Sequence, residues 1–206
     1  MKTFLKRVSI LVVGVLVLSC SSDSSDSSTP TCTPIACLNG GTSRPDCGCN
    51  CAIGFTGSNC STQITPSSIK ITKIRVKKFP NLNTNGNNWD SFALPGWERP
   101  DIFPALFPFQ GTSVLFAGTP IDDSFSYGND TFDFIPTTPI VITQISQQFT
   151  LLLIDDDSTT INPNTFETMG GFNFYLYDST GGFPTIITLS NATSPYKFEL
   201  TVSYVW

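Results

Sequence analysis

Carboxylates that cluster at the end of an apolar segment are the residues of this chain best suited to chemistry. Asp155, Asp156 and Asp157 follow directly after the apolar run 151–154. Carboxylates this close repel one another unless a cation or open solvent relieves the repulsion. The chain contains no histidine, and oxygen ligands alone favour calcium over zinc, copper or iron. Taken by itself, the triplet is also consistent with a solvated loop.

Enzymatic chemistry has less support in the sequence than cation binding. Without histidine there is no Ser-His or Cys-His nucleophile pair. A carboxylate pair acting on a glycoside stays open as an alternative, because the separation of side chains is not visible in a sequence. A tight acidic cluster nevertheless suits a cation better than an acid and a base with well-separated pKa values. We therefore predict that the chain is not an enzyme.

Cysteine is the second residue type with chemical potential. Six cysteines lie within residues 32–60, a segment too small for a hydrophobic core, and the even number predicts disulfides in an oxidising compartment. A zinc site is the competing use of such cysteines. The sequence alone does not choose among the many pairings. The six are Cys32, Cys37, Cys47, Cys49, Cys51 and Cys60.

The N-terminus carries an export signal, with Lys2, Lys6 and Arg7 before an apolar run over 8–18 that is too short to span a bilayer. The residues Val-Leu-Ser-Cys that end at Cys20 resemble a bacterial lipobox. The resemblance implies removal of residues 1–19 and a lipid on the Cys20 thiol that tethers the chain to a membrane. An ordinary cleaved signal with a chance cysteine is the alternative.

A linker rich in serine and aspartate follows over residues 20–31 and is expected to be flexible. Its opening residues 21–23, Ser-Ser-Asp, resemble the short acidic signals that send some lipoproteins to the outer face of the outer membrane. The expected location is therefore the bacterial outer membrane, with the protein facing the cell exterior. A plain linker would look much the same.

The cysteine segment resembles the epidermal growth factor-like (EGF-like) module in two stretches, 37–42 (Cys-Leu-Asn-Gly-Gly-Thr) and 49–60 (Cys-x-Cys-x-x-Gly-Phe-x-Gly-x-x-Cys). The resemblance implies a domain over 32–60 with the pairs Cys32–Cys47, Cys37–Cys49 and Cys51–Cys60. Residues 28–31 lack the acidic side chains of the calcium-binding members of that family. A spacer or protein-contact role without calcium is the expectation.

After a linker over 61–68, the chain alternates apolar and polar residues between turn-forming ones, and no stretch shows a sustained helical period. This pattern predicts one all-β domain over 69–206, an antiparallel eight-stranded β-sandwich. The candidate strands are 69–79, 102–109, 113–117, 131–135, 140–143, 149–154, 171–177, 185–189 and 196–205.

Two stretches of this domain resemble the calcium-binding top loops of the C2 domain, a β-sandwich that binds lipid in response to calcium. Residues 151–157 followed by 167–170 (Glu-x-Met-Gly) resemble its third top loop, and 89–90 with 100–103 resemble its first. Both loops are longer than usual, and a glutamate stands where an aspartate is normal. The resemblance implies a calcium site formed by Asp90, Asp101, Asp155, Asp157 and Glu167.

Aromatic residues accompany the aspartates of the first loop, with Trp89 and Trp97 as candidate ligand contacts. Such rings suit an interfacial lipid layer or the face of a sugar. The alternative is that they cap the open end of the core.

Net charge limits the range of partners. The chain has a formal charge of -5, which argues against nucleic acid. Most of the basic residues after the signal fall within 70–78, and a strand there would place Lys73, Arg75 and Lys77 on one face. That face is either a solvated strand surface or a docking strip for anionic head groups.

Together these features predict a membrane-anchored lipoprotein that binds a lipid, glycan or protein in response to calcium. A cation-independent adhesin and a structural spacer are the alternatives.

Overall fold

The computed structural model describes residues 32–90, 98–158 and 166–206. Within these residues every regular element is a β-strand. None of the described segments forms a helix long and apolar enough to cross a membrane. The export signal, Cys20 and the linker expected within 1–31 lie outside the described residues.

Three disulfides hold the N-terminal segment together, and the cysteines pair in the order that the resemblance implies. The bonds join Cys32 to Cys47, Cys37 to Cys49, and Cys51 to Cys60. All six thiols of the described residues are consumed in this way, which leaves no thiolate for a zinc site there. Four two-residue strands form two hairpin-like pairs: β1 (Thr42–Ser43) with β2 (Cys49–Asn50), and β3 (Phe55–Thr56) with β4 (Thr62–Gln63).

The rest of the described chain forms two antiparallel sheets. Their strands are β5 (Ser68–Lys78), β6 (Ile102–Pro108), β7 (Phe116–Ala117), β8 (Phe132–Phe134), β9 (Ile140–Ile142), β10 (Gln148–Asp156), β11 (Phe166–Tyr175), β12 (Ile186–Leu189) and β13 (Lys197–Val205). One sheet has the order β12-β13-β5-β8, with β9 also paired to β5, and the other has the order β11-β10-β6-β7. The two sheets resemble a C2-like β-sandwich, which confirms the predicted all-β fold.

Among the described residues, the sandwich has nine strands where eight were predicted, and the bounds of β7 and β11 differ most from expectation. β8 and β9 match the candidate strands 131–135 and 140–143, and they pair with different stretches of the same side of β5. β7 has two residues, fewer than the predicted 113–117. β11 begins at Phe166, five residues before the predicted start, because residues 166–170 continue the ladder opposite β10.

Alternation along each strand builds the core. On β5, Ile74 and Val76 are fully buried, and Lys73, Arg75 and Lys77 face outward as predicted. Each fully buried aliphatic side chain of this kind contributes on the order of 1.5–3 kcal/mol to folding. The cluster between the sheets is largest around Phe149, Phe198, Leu106, Leu151, Leu153 and Leu200.

The basic face of β5 is neutralised by acidic neighbours. Lys73 and Arg75 both contact Asp133 on β8, and Lys77 lies 3.6 Å from Glu199 on β13. Hydrogen bonds, first from Arg75 and then from Lys73, lower the pKa of Asp133 to about 2. These ion pairs fit a solvated strand surface.

The sandwich has two distinct ends. We call the end at which β5 and β10 finish the acidic end, because the loops 79–90, 98–101, 122–130 and 156–158 meet there. We call the other the module end, because the disulfide segment packs against it. Phe183 lies at the centre of this contact, with ring centroids 5.2 Å from Phe55, 5.1 Å from Tyr204 and 4.6 Å from Trp206.

Two further residues fix the disulfide segment to the module end: Gly54 within it and Gln63 on β4, which follows its last cysteine. Gln63 donates from Nε2 to the Asp178 carbonyl (2.8 Å) and accepts at Oε1 from the Gly182 amide (2.9 Å). Gly54 has a φ of +91°, and a Cβ there would lie 2.4 Å from the Phe183 ring. Glycine is therefore required both by the backbone and by the close approach of the ring.

Candidate cation site

Three carboxylates meet at the acidic end. Oxygen atoms of Asp90, Asp155 and Asp157, one from each residue, lie within 4.8 Å of one another. Asp155 is near the end of β10 and Asp157 directly follows that strand, so the period of two places both side chains on the same face. Asp90 lies in the connection between β5 and β6. The structure thus brings together three of the five predicted calcium ligands.

Asp155 is the most unusual residue of this cluster, because it is fully buried. Its Oδ1 atom accepts a hydrogen bond from the Asp101 backbone amide at 2.8 Å. No group among the described residues hydrogen-bonds its Oδ2 atom. Burying an ionised carboxylate without full pairing is costly. Asp155 therefore has one buried oxygen without a hydrogen-bond partner among the described residues, beside two further carboxylates.

Burial and mutual repulsion raise the pKa values of Asp90 and Asp155. The pKa of Asp90 rises to about 8, first because of burial and then because of the nearby Asp155 charge, with a hydrogen bond to Asp157 adding to the shift. The pKa of Asp155 rises to about 7, again mainly through burial, although the hydrogen bond from Asp101 opposes the rise. At neutral pH, ionisation of Asp90 and Asp155 is thus disfavoured. A divalent cation would relieve the repulsion between the carboxylates.

The other two predicted ligands lie beside the cluster and outside its 4.8 Å group. The Oδ1 atom of Asp101 instead accepts a hydrogen bond of 2.7 Å from the Asp123 amide. Burial raises the pKa of Asp101, and this hydrogen bond opposes the rise. Glu167 faces Asp155 across the β10–β11 ladder, and its charge contributes to the raised pKa of Asp155.

The two tryptophans proposed as ligand contacts have different outcomes. Trp89 is 6% exposed and packs in the core, so its ring is not available to a ligand. Its indole Nε1 donates to the Pro80 carbonyl at 2.9 Å. Trp89 therefore caps the core, as the alternative reading of these rings expects, and it anchors the loop that carries Asp90. Trp97 lies outside the described residues.

Sequence reasoning missed a second acidic pair at this end, Asp122 and Asp123, in the loop between β7 and β8. Their charges contribute to the raised pKa of Asp101. Asp123 has a φ of +50°, a left-handed conformation that aspartate tolerates better than most residues. The signal in the sequence was the doubled aspartate next to a short strand, which is the same pattern that identified Asp155 to Asp157.

No protein-family profile and no curated protein sequence matches this chain. Among solved structures, human GIVD cytosolic phospholipase A2 is similar over 69% of this chain, with 16% identity and a TM-score of 0.39. A calcium-bound structure of the tandem C2 domains of extended synaptotagmin 2 is similar over 67%, with 14% identity and a TM-score of 0.35. The aligned region spans 17% of the phospholipase chain and 45% of the synaptotagmin chain.

These comparisons also bear on the prediction that the chain is not an enzyme. That prediction is contradicted, because one of the similar structures is that of an enzyme, a phospholipase. A match of this TM-score and coverage does not establish an activity for this chain.

Proposed function

We propose that this chain is a calcium-dependent binding module in which Asp90, Asp155 and Asp157 hold the cation at the acidic end. The observation that carries this proposal is the fully buried Asp155, whose Oδ2 atom has no hydrogen-bond partner among the described residues and which lies within a group of three carboxylates. The donor set consists only of hard oxygen atoms, which suit calcium. Asp101 and Glu167 are close enough to add charge from the rim.

Bound calcium would supply positive charge beside the three carboxylates. The carboxylates of this chain would orient and neutralise the ion, while Trp89 and the Asp101 amide would hold two of those carboxylates in place. The exposed side of the site would then present a cationic centre to an anionic or hydroxyl-bearing group of a surface lipid, glycan or protein.

Calorimetry and thermal melts of the full chain test this proposal. Calcium should stabilise the folded state by about 2.7 kcal/mol at 100 times its dissociation constant. We expect a weak site, on the order of 0.1 to 1 mM, as is common for extracellular modules. The double change Asp155→Asn and Asp157→Asn should abolish the binding heat while leaving the sandwich folded.

The matched control removes the same charge from the same end of the sandwich. Glu98 and Asp130 are both exposed, and the change Glu98→Gln with Asp130→Asn should retain calcium binding. Absence of binding heat in the wild-type chain, together with identical melts in calcium and chelator, would refute the calcium site and leave a cation-independent adhesin or a spacer. Equal loss in both double variants would indicate diffuse charge attraction instead of a site.

We also propose that the module is held at a bacterial outer membrane through a lipid on Cys20, facing the exterior. The support is the basic, apolar and Cys-terminated order of residues 1–20. Cys20→Ser should abolish labelling by a fatty-acid analogue and release the protein from the membrane fraction. A Cys20→Ser protein that stays labelled and membrane-bound would contradict the anchor. The EGF-like segment would then act as the spacer between this anchor and the sandwich.

A further inference from the structure

The loop between β7 and β8 presents its side chains in the reverse of the usual order. Within residues 124–127 (Ser-Phe-Ser-Tyr), Ser124 is buried, whereas Phe125 is 38% and Tyr127 is 75% exposed. Burying a serine while exposing two large rings runs against the normal preference of these residue types. Because folding alone does not favour such an arrangement, the two rings are candidates for contact with a ligand.

Hydrogen bonds hold this loop in one conformation. The Ser124 amide donates to the Pro100 carbonyl (2.9 Å), and its hydroxyl donates to the Ile121 carbonyl (2.8 Å). Asn81 and Ser126 exchange two hydrogen bonds, from Asn81 Nδ2 to the Ser126 carbonyl (2.9 Å) and from the Ser126 amide to Asn81 Oδ1 (2.8 Å). A ligand would therefore meet rings whose backbone is already ordered, which lowers the entropic cost of binding.

The two rings form a small platform with a charged neighbour. Phe125 and Tyr127 lie nearly parallel, with centroids 6.5 Å apart and planes 24° apart. The Arg99 guanidinium sits 4.7 Å from the centroid of Phe125, within the range of a cation–π contact. We call Phe125, Tyr127 and Arg99 the aromatic platform. It combines apolar ring surface with planar hydrogen-bond donors.

We propose that the aromatic platform binds a neutral glycan. The carbon–hydrogen face of a sugar ring is apolar and stacks on aromatic side chains, while its hydroxyl groups need donors and acceptors at the edge of the stack. Arg99 offers the donors, and the exposed carboxylates of Asp122 and Asp130 offer acceptors on the same loop. The net charge of -5 disfavours an anionic ligand.

A lipid bilayer fits the same loop less well. Asp122 and Asp130 flank the two rings in sequence and both are exposed, so insertion of the rings would carry carboxylates toward the hydrocarbon layer, where charge is strongly disfavoured. A glycan imposes no such penalty, because the carboxylates stay in water or bond hydroxyl groups.

The platform goes beyond the proposed calcium site, because none of its residues belongs to the group of three carboxylates. The two are joined through Asp123, whose amide donates to Asp101 Oδ1, while the Asp101 amide donates to Asp155 Oδ1. Glycan stacking on the rings does not itself require a cation.

The test is native electrophoresis of the full chain through gels that contain a soluble neutral polysaccharide, run in calcium and in chelator. The polysaccharides are xyloglucan, galactomannan and a mixed-linkage glucan, and a parallel sedimentation assay uses vesicles of phosphatidylethanolamine and phosphatidylglycerol. The variants are Tyr127→Ala and Phe125→Ala. The matched control is Tyr175→Ala, which removes a tyrosine that is 58% exposed on β11, at the module end.

At least one polysaccharide should retard the wild-type chain, and Tyr127→Ala should weaken that binding about tenfold. Tyr175→Ala should leave it unchanged, and the melting temperatures of the ring variants should confirm that they fold. Absence of retardation in all three gels would overturn the proposal, as would retardation that survives both ring variants. Vesicle binding that the ring variants abolish, without retardation, would assign the platform to lipid instead.

The outcomes separate this inference from the calcium site. Retardation that persists in chelator, with no calcium binding heat, would retain the platform and reject the calcium site. Calcium binding without retardation would retain the calcium site and reject the aromatic platform as a glycan site.

Discussion

The two ends of the sandwich have opposite chemical character. At the module end, aromatic rings from the disulfide segment and the sandwich pack around Phe183, and Gln63 bonds two backbone groups across the contact. At the acidic end, three carboxylates converge, and Asp155 keeps an oxygen without a hydrogen-bond partner among the described residues. Apolar surface and paired polar groups close one end, whereas the other end brings carboxylates together.

The two ends have opposite effects on the stability of the folded state. Ring packing and satisfied hydrogen bonds lower the free energy of the folded state. Clustered, buried carboxylates raise the free energy of the folded state, and the proposed cation would offset that cost. The disulfide segment is also fixed at the end opposite the carboxylates, so an anchor attached through the N-terminus would leave the acidic end distal to the point of attachment.

The largest effect is expected from Gly54→Ala, which would break the module end. The new Cβ would lie 2.4 Å from the Phe183 ring and 2.6 Å from the Trp206 ring. Gly86→Ala is the control, since Gly86 has a similar φ of +78° but nothing within 4 Å of the new atom. Overpacking should make Gly54→Ala less stable than the control by about 2 to 3 kcal/mol in denaturant unfolding. Equal losses would show that the ring contact is loose.

Gln63→Ala should weaken the same contact by a smaller amount. Two hydrogen bonds disappear, and the loss should be about 1 to 2 kcal/mol. Hydrogen exchange should report faster exchange of the Gly182 amide, which loses its acceptor. Unchanged exchange at Gly182 would contradict the proposed fixing of the disulfide segment.

The sequence predicted the fold well where alternation is the controlling signal. The period of two placed the basic residues of β5 on one face, and Ile74 and Val76 on the opposite face are fully buried. The early start of β11 was missed because residues 167–170 were assigned to a loop, the third top loop of the resemblance. In the structure these residues continue the strand, and Gly171 allows close strand approach, since a Cβ there would lie 1.9 Å from the Leu151 carbonyl oxygen.

The site was only partly predictable. Spacing along one strand placed Asp155 and Asp157 together, because strand geometry is local. The hydrogen-bond partner of a carboxylate depends on tertiary structure, and Asp101 accepts a hydrogen bond from the Asp123 amide. Burial of Trp89 and exposure of Tyr127 likewise depend on which loop reaches the core, and no local pattern records that.

At the acidic end, in contrast to the module end, the mutation Asp155→Asn should stabilise the protein. An asparagine keeps an acceptor for the Asp101 amide and removes a buried charge. In chelator, the variant should be more stable by about 1 kcal/mol. Asp130→Asn, at an exposed position, should change stability by less than about 0.5 kcal/mol. Destabilisation by Asp155→Asn in chelator would show that the empty cluster is not under electrostatic strain.

A pH dependence that belongs to the acidic end alone is also expected. The folded state raises the pKa of Asp90 to about 8 and that of Asp155 to about 7, in both cases mainly through burial. Aspartate in an unfolded chain has a pKa of about 3.9. For carboxylates with raised pKa values, the stabilising contribution is fully present below about pH 4 and is lost as the pH rises through about 7 to 8.

In chelator, the melting temperature should therefore fall between about pH 5 and pH 8. Asp133, whose pKa is lowered to about 2, stays ionised throughout that window and contributes a constant amount. The variant Asp90→Asn with Asp155→Asn should have a flatter profile, whereas Gln63→Ala, at the module end, should keep the wild-type slope. Calcium should oppose the fall most strongly at the upper end of the window, where the ligands are ionised. A wild-type profile in chelator that is as flat as that of the double variant would mean that the two ends do not differ in electrostatic strain.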